Sequence, residues 1–130
     1  MNAVTETPAA SSAEAARHFA GRLALETDCA DVEAALRSGA PGFVLLDVRG
    51  PQAFAKAHVP GAVNLPHREM TAERMAAWPD GILFVVYCAG PHCNGADRAG
   101  LRLAQLDRPV KLMLGGMTGW VDEGFAFGAG

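Results

Sequence analysis

A chain of 130 residues is one domain by the usual length expectation, large enough to bury about two-thirds of the surface its unfolded chain exposes. Half of the residues are apolar and the formal charge is -3, with the basic residues scattered, so nucleic acid is not an expected partner. The longest apolar run, Ile82 to Tyr87, falls short of the ~20 residues a membrane span needs. The N-terminus lacks a positively charged start followed by an apolar core, so no secretory signal is read and the cytoplasm is the expected compartment. Three cysteines are a small and odd number for a disulfide framework, which leaves free, catalytic or metal-bound thiols. Abundant alanine, and arginine in preference to lysine, suggest a bacterial source.

Residues 1–11, rich in Ala, Ser, Thr and Pro, read as a flexible tail before a single domain over 12–130. Ser12 is a candidate cap for a helix with Ala13, Ala16, Phe19 and Ala20 on one face, ending near Gly21 and followed by a short strand at Leu23 to Glu26. Thr27 or Asp28 can cap a second helix that places Val32 and Leu36 together and stops at Gly39. "FVLLDV", Phe43 to Val48, is apolar up to Asp47, as in a strand covered on both faces of a parallel sheet. Pro51 suits the first turn of the helix after it. A brief strand over Gly61 to Pro66, a short helix capped by Thr71 and the most buried strand, "GILFVVY", come next. The chain closes with a helix from about Gly95 to Leu106, a strand "VKLML" and a helix near Thr118 to Glu123. This alternation predicts an α/β domain with a mostly parallel sheet.

In such sheets functional groups gather just past the carboxyl ends of strands, where both "DVRG" and "CAGPHCNG" lie. Cys88 ends the strand expected at the centre of the sheet, and the chain must curl through Gly90 and Gly95 before entering a helix. Unpaired amides at a helix start, joined by those of the curled loop, favour an anion there. A thiol held in that place is expected to ionise readily and to act as a nucleophile. The alternative is that Cys88 is a small buried hydrophobe.

Three blocks in order carry a family resemblance. "LLDVRGPQAFAKAHVPGAVNLP", Leu45 to Pro66, is similar to a signature of Asp-x-Arg, a helix and a His-Ile-Pro-Gly-Ala-x-Asn-hydrophobic-Pro turn, with Val59 in place of isoleucine. "VVYC", ending at Cys88, and "GGMTGWVDEGF", Gly115 to Phe125, match the other two. Over Leu23 to Phe125 the chain resembles the rhodanese-like domains, sulfurtransferases that carry sulfur as a cysteine persulfide. The resemblance implies a five-stranded parallel sheet wrapped by helices, with Cys88 as the nucleophile under a loop of amides formed by Ala89, Gly90, His92, Cys93, Asn94 and Gly95. It implies supporting roles for Asp47 and Arg49, the aspartate organising the site and the arginine pairing nearby or facing the anion. For His58 a hydrogen bond holding its turn is expected. No cofactor is implied beyond the covalent persulfide; the implied partners are a small sulfur donor and a thiol, cyanide or protein acceptor.

The loop departs from the family's common Cys-x-x-Gly-x-Arg/Lys/Ser-Ser pattern. Its glycine comes one residue early, Pro91 follows and removes a possible amide donor, and Cys93 takes the basic or hydroxyl position. Without a fixed positive charge, capture of the thiosulfate dianion is expected to be weak. His92 is a candidate proton donor or anion partner, and His67 a weaker one. Cys93 is expected to point into the helix packing in place of a serine; the other reading is that it attacks a Cys88 persulfide, accepting sulfur or closing a disulfide. Cys88, His92 and Cys93 suit zinc by type but lack an obvious fourth ligand, so no metal is expected. Asn94, not Arg98, holds the arginine position of a Cys-x5-Arg phosphatase loop, which argues against that chemistry. Cys29 is read as a packed residue. Two further readings stand beside the sulfurtransferase: a redox or sulfur-relay module using Cys93, and a binding module without catalysis. Oligomeric state leaves no trace in the sequence.

Overall fold

Three largely apolar runs of five residues, with two shorter segments at the edges, build one parallel sheet in the computed structural model, which describes residues 2–129. Strands β1 (Glu26–Asp28), β2 (Phe43–Asp47), β3 (Val63–Asn64), β4 (Leu83–Tyr87) and β5 (Val110–Leu114) lie in the order β1-β5-β4-β2-β3. All four pairings are parallel. The helices are α1 (Ala3–Glu6), α2 (Ser12–Leu25), α3 (Cys29–Arg37), α4 (Pro51–Lys56), α5 (Ala72–Met75), α6 (Gly95–Gln105) and α7 (Gly116–Asp122).

Side-chain alternation along the central strands divides the core in two. Leu46, Val48, Phe84, Val86 and Cys88 pack on one face of the sheet with Ala96, Ala99 and Leu103 of α6. Leu45, Val85, Tyr87 and Met113 pack on the other with Cys29, Val32, Val59 and Trp120. Trp120 fills this second layer and its indole donates to the Ala126 carbonyl at 2.9 Å. Arg108 is buried under α5, where its guanidinium donates to the carbonyls of Met75, Trp78 and Pro79 and lies over the Phe84 ring.

Several sequence expectations shift at the N-terminal side. Within residues 2–11, Asn2 caps the single turn α1, every residue of which is exposed; Met1 lies outside the described residues. Ser11, not Ser12, caps α2 by accepting from the Glu14 amide at 3.2 Å. The helix runs through Gly21, because one glycine costs only about 1 kcal/mol in a helix interior, and ends where Glu26 turns extended to pair with Leu112. The strand expected at Leu23 therefore begins at Glu26. The face drawn through Phe19 buries nothing: Phe19, Leu23 and Leu25 are all exposed.

Elsewhere the reading agrees to within a few residues. Asp28 caps α3 by accepting from the Asp31 amide at 2.8 Å, and Gly39 follows it at φ +80°. Pro51 opens α4 and Thr71 caps α5. The strand read over Gly61 to Pro66 shrinks to Val63–Asn64, because Gly61 turns at φ +86° and the chain leaves the sheet at Pro66.

Candidate functional site

Strand β4 delivers Cys88 to the carboxyl edge of the sheet, on the face covered by α6. The loop Ala89 to Asn94 then returns the chain to the first turn of α6 at Gly95. The backbone around Cys88 is held from the opposite side by the start of α7. Met117 N–H donates to the Cys88 carbonyl at 3.1 Å, and Thr118 donates to the Ala89 carbonyl through its amide at 2.9 Å and its hydroxyl at 3.1 Å. Gly116 explains the glycine pair of the closing block: it has φ +55°, and a Cβ there would collide with the Cys88 carbonyl oxygen.

Cys93 does more than the sequence reading expected. It packs, partly buried, against the core layer that holds Ala96 and Ala99 of α6, and its Sγ is also bonded to Cys88 Sγ, with the two Cα atoms 6.5 Å apart. Two short interactions turn the side chain inward. The Cys93 amide donates to the Gly90 carbonyl at 3.1 Å, closing a turn, and the Gly95 amide donates to Cys93 Sγ at 3.4 Å. Gly95 also provides the space, since a Cβ on it would lie 2.9 Å from Cys88 Sγ and 3.4 Å from Cys93 Sγ. The loop thus directs a second sulfur at the first.

Both sulfurs border a cavity of about 160 Å³, with Gly90, Pro91, Ala96 and the Gly115–Gly116 pair around it. Its charged residues are Glu26, from the edge strand, and Asp97, from the first turn of α6; among the described residues that line it none is basic. A larger depression of about 560 Å³ between Leu36, Phe43 and Trp78 contains no nucleophile. The expected ring of loop residues is thereby divided. Gly90 and Cys93 reach the cavity, whereas Ala89, His92 and Asn94 are not among the residues that line it. Gly95 bounds the two sulfurs through its missing Cβ. His92 is exposed, and Asn94 accepts from the Arg98 guanidinium at 3.2 Å. His67 belongs to a single 3-10 turn after β3 and is also outside the cavity lining.

Asp47 and Arg49 form a network of their own, and neither they nor His58 line this cavity. The Asp47 carboxylate, fully buried, accepts two bonds from the Arg49 Nε and one of 2.7 Å from Nη2, which also donates to the Ala57 carbonyl at 2.6 Å. Arg49 therefore pairs nearby instead of facing the cavity. Burial alone would lower the pKa of its guanidinium, but hydrogen bonding to Asp47 and the charge of that carboxylate raise it. Asn64 ties the same turn by donating to the carbonyls of Asp47 and Arg49. His58 stacks on Phe54 and donates through Nδ1 to the Phe54 carbonyl at 2.8 Å.

The sequence reading missed Tyr87. Its hydroxyl donates to Asp47 Oδ2 at 2.7 Å and accepts from the Val59 amide at 3.1 Å. Burial, followed by the charge of Asp47, raises its pKa well above that of a free phenol. The signal was available: a tyrosine at the buried end of an apolar strand needs a partner for its hydroxyl, and the only charge closing the neighbouring strand is Asp47. Cys29 is packed as expected, with its thiol near the carbonyls of Leu114 and Gly116 at 3.5 and 3.7 Å. Burial, with smaller contributions from Asp28, Glu123 and Asp122, pushes that thiol up to about 11.

Residues 29–123 match the family described as Rhodanese-like domain. The chain is 36% identical over 92 residues to an HTH-type transcriptional regulator of Mycobacterium tuberculosis, a match that spans 66% of this chain and 40% of the regulator. Among solved structures it superposes on the BH2092 protein of Bacillus halodurans with a TM-score of 0.88 at 32% identity, covering 92% of this chain and 87% of that one. A thiosulfate sulfurtransferase of Pseudomonas aeruginosa superposes with a TM-score of 0.67 at 26% identity over 90% of this chain and 21% of that one. The parallel five-stranded sheet, the Asp47 to Pro66 turn and a cysteine at the end of β4 are thus explained together: the chain belongs to the rhodanese-like domain family.

Proposed function

We propose that the domain is a sulfurtransferase that carries sulfane sulfur as a Cys88 persulfide. The observation that carries this reading is the position of Cys88 Sγ, at the carboxyl end of the central strand, in a small cavity between the loop and the first turn of α6. Membership of the family and the likeness to a thiosulfate sulfurtransferase support it. The Cys88–Cys93 bond must first be opened, because a disulfide sulfur is not a free nucleophile. The Cys88 thiolate then attacks the outer sulfur of the donor, the donor's remaining group leaves with the electron pair, and a thiol, cyanide or protein acceptor later removes the sulfur. No separate cofactor takes part.

Asp97 repels a dianion at this cavity, whereas Glu26 is paired with the Arg22 guanidinium at 3.0 Å, so a persulfide or a monoanionic donor suits it better than thiosulfate. The Cys88–Cys93 contact favours a second reading, a redox or sulfur-relay module in which Cys93 shares the work. We place either activity in the cytoplasm; among the described residues no helix is long and apolar enough to cross a membrane.

The test is intact-mass measurement of the reduced protein after exposure to sulfane donors. A gain of one sulfur atom that disappears in Cys88→Ser supports the proposal. The absence of any sulfur gain with thiosulfate, persulfide and thiosulfonate donors alike removes it.

A further inference from the structure

We propose that Cys93 resolves the Cys88 persulfide by attacking its inner sulfur, so that the loop discharges sulfane sulfur as sulfide. This inference rests on the sulfurtransferase reading of Cys88.

The geometry selects the inner sulfur. The inner sulfur of a Cys88 persulfide is Cys88 Sγ itself, and Cys93 Sγ is placed directly on that atom. The Cα separation of 6.5 Å lies within the ~4.4–6.8 Å that a bridged pair requires, so the backbone as folded already permits the bond. Three features hold Cys93 toward Cys88: the Cys93 to Gly90 turn, the Gly95 amide on Cys93 Sγ, and the missing Cβ of Gly95. The cavity offers no trap for an anionic outer sulfur, since the Asp97 carboxylate and no basic residue line it, and the Arg22 guanidinium is paired with Glu26.

The step balances within the chain. Cys93 loses its proton and its sulfur forms a bond to Cys88 Sγ. The bond from Cys88 Sγ to the outer sulfur breaks, and its electron pair leaves with that sulfur as hydrosulfide, which takes up the released proton. The two cysteine sulfurs are oxidised to the disulfide, and the sulfane sulfur is reduced to sulfide. Resetting the loop requires an external dithiol, which attacks the Sγ of Cys93, the less buried of the two residues, and itself ends as a disulfide.

Benzenethiosulfonate separates the possibilities, because its leaving group is a sulfinate and contributes neither thiol nor sulfide. The reduced full chain is mixed with this donor in the absence of other thiols, and intact mass and free sulfide are measured for wild type, Cys93→Ser and Cys88→Ser. Wild type is expected to lose two hydrogens with no added sulfur and to release one sulfide per chain. Cys93→Ser is expected to gain one sulfur and release none until a thiol is added, and Cys88→Ser to do neither. If wild type instead keeps the added sulfur and releases no sulfide, the inference is overturned while sulfur transfer by Cys88 stands. If Cys93→Ser gains no sulfur from this or a persulfide donor, the sulfurtransferase reading fails and the inference with it.

Discussion

The Tyr87 hydroxyl donates a 2.7 Å hydrogen bond to the Asp47 carboxylate across the register that pairs β2 with β4. Since the same hydroxyl accepts from the Val59 amide, one oxygen joins the sheet to the turn around Pro60. Tyr87→Phe leaves a buried carboxylate and a buried amide each short of a partner, and is expected to cost about 1–3 kcal/mol. Urea unfolding of the two proteins measures this. Sulfur loading at Cys88 should be nearly unchanged, because the two side chains lie in different core layers. Equal stability of the variant would mean that water replaces the hydroxyl without loss.

Cys29 makes stability fall in alkali. Its folded thiol, at about 11, lies above the unfolded thiol near 9.0, so the unfolded chain releases this proton first. The contribution is fully present below pH ~9 and is lost as pH rises through about 11. Denaturation midpoints taken between pH 8 and 11 should fall more steeply for wild type than for Cys29→Ala. Parallel curves would assign the alkaline loss to other groups.

Gly95→Ala tests whether the space beside the sulfurs matters. Alanine is a better helix residue than glycine, yet its Cβ would stand 2.9 Å from Cys88 Sγ. Global stability is expected to stay within about 1 kcal/mol of wild type, while persulfide formation slows by roughly 10- to 100-fold as the nucleophile is displaced. Stopped-flow loading with a thiosulfonate gives the rate, and an unchanged rate would show that the sulfur relocates at no cost.

Asp97→Asn removes one of the two carboxylates at the cavity. Relative use of thiosulfate over an uncharged trisulfide donor should rise by roughly three- to tenfold, an effect of one charge at several ångströms. The gain should shrink at high salt. A ratio insensitive to both the substitution and the salt would place donor binding away from Asp97.

Much of the fold was legible because buried parallel strands and capped helices leave local marks. Phe43 to Val48, "VKLML" and the Asp28 cap are examples. Cys88 was legible for the same reason, as the residue between the most apolar strand and a glycine-bearing turn. What escaped depended on contacts distant in sequence. Helix α2 looked amphipathic, but it lies at the edge strand with Phe19 and Leu23 exposed. The direction of Cys93 followed from the Gly95 amide and the turn to Gly90, a geometry that residue types alone do not determine. The commitment of Arg49 to Asp47 and Ala57 likewise needed the fold to show which carbonyl lay within reach.

Tyr87 and Cys88 are adjacent in the chain, yet one faces the ion-pair network and the other the cavity. The sheet therefore works as a partition between a buried ion pair and the paired cysteine sulfurs. Loop residues from Ala89 to Asn94 can change in charge, length or redox character without disturbing Asp47, and the turn it anchors can be rebuilt without retuning the thiol. A scaffold divided in this way leaves the surroundings of Cys88 to a single loop, the one that places Cys93 against it.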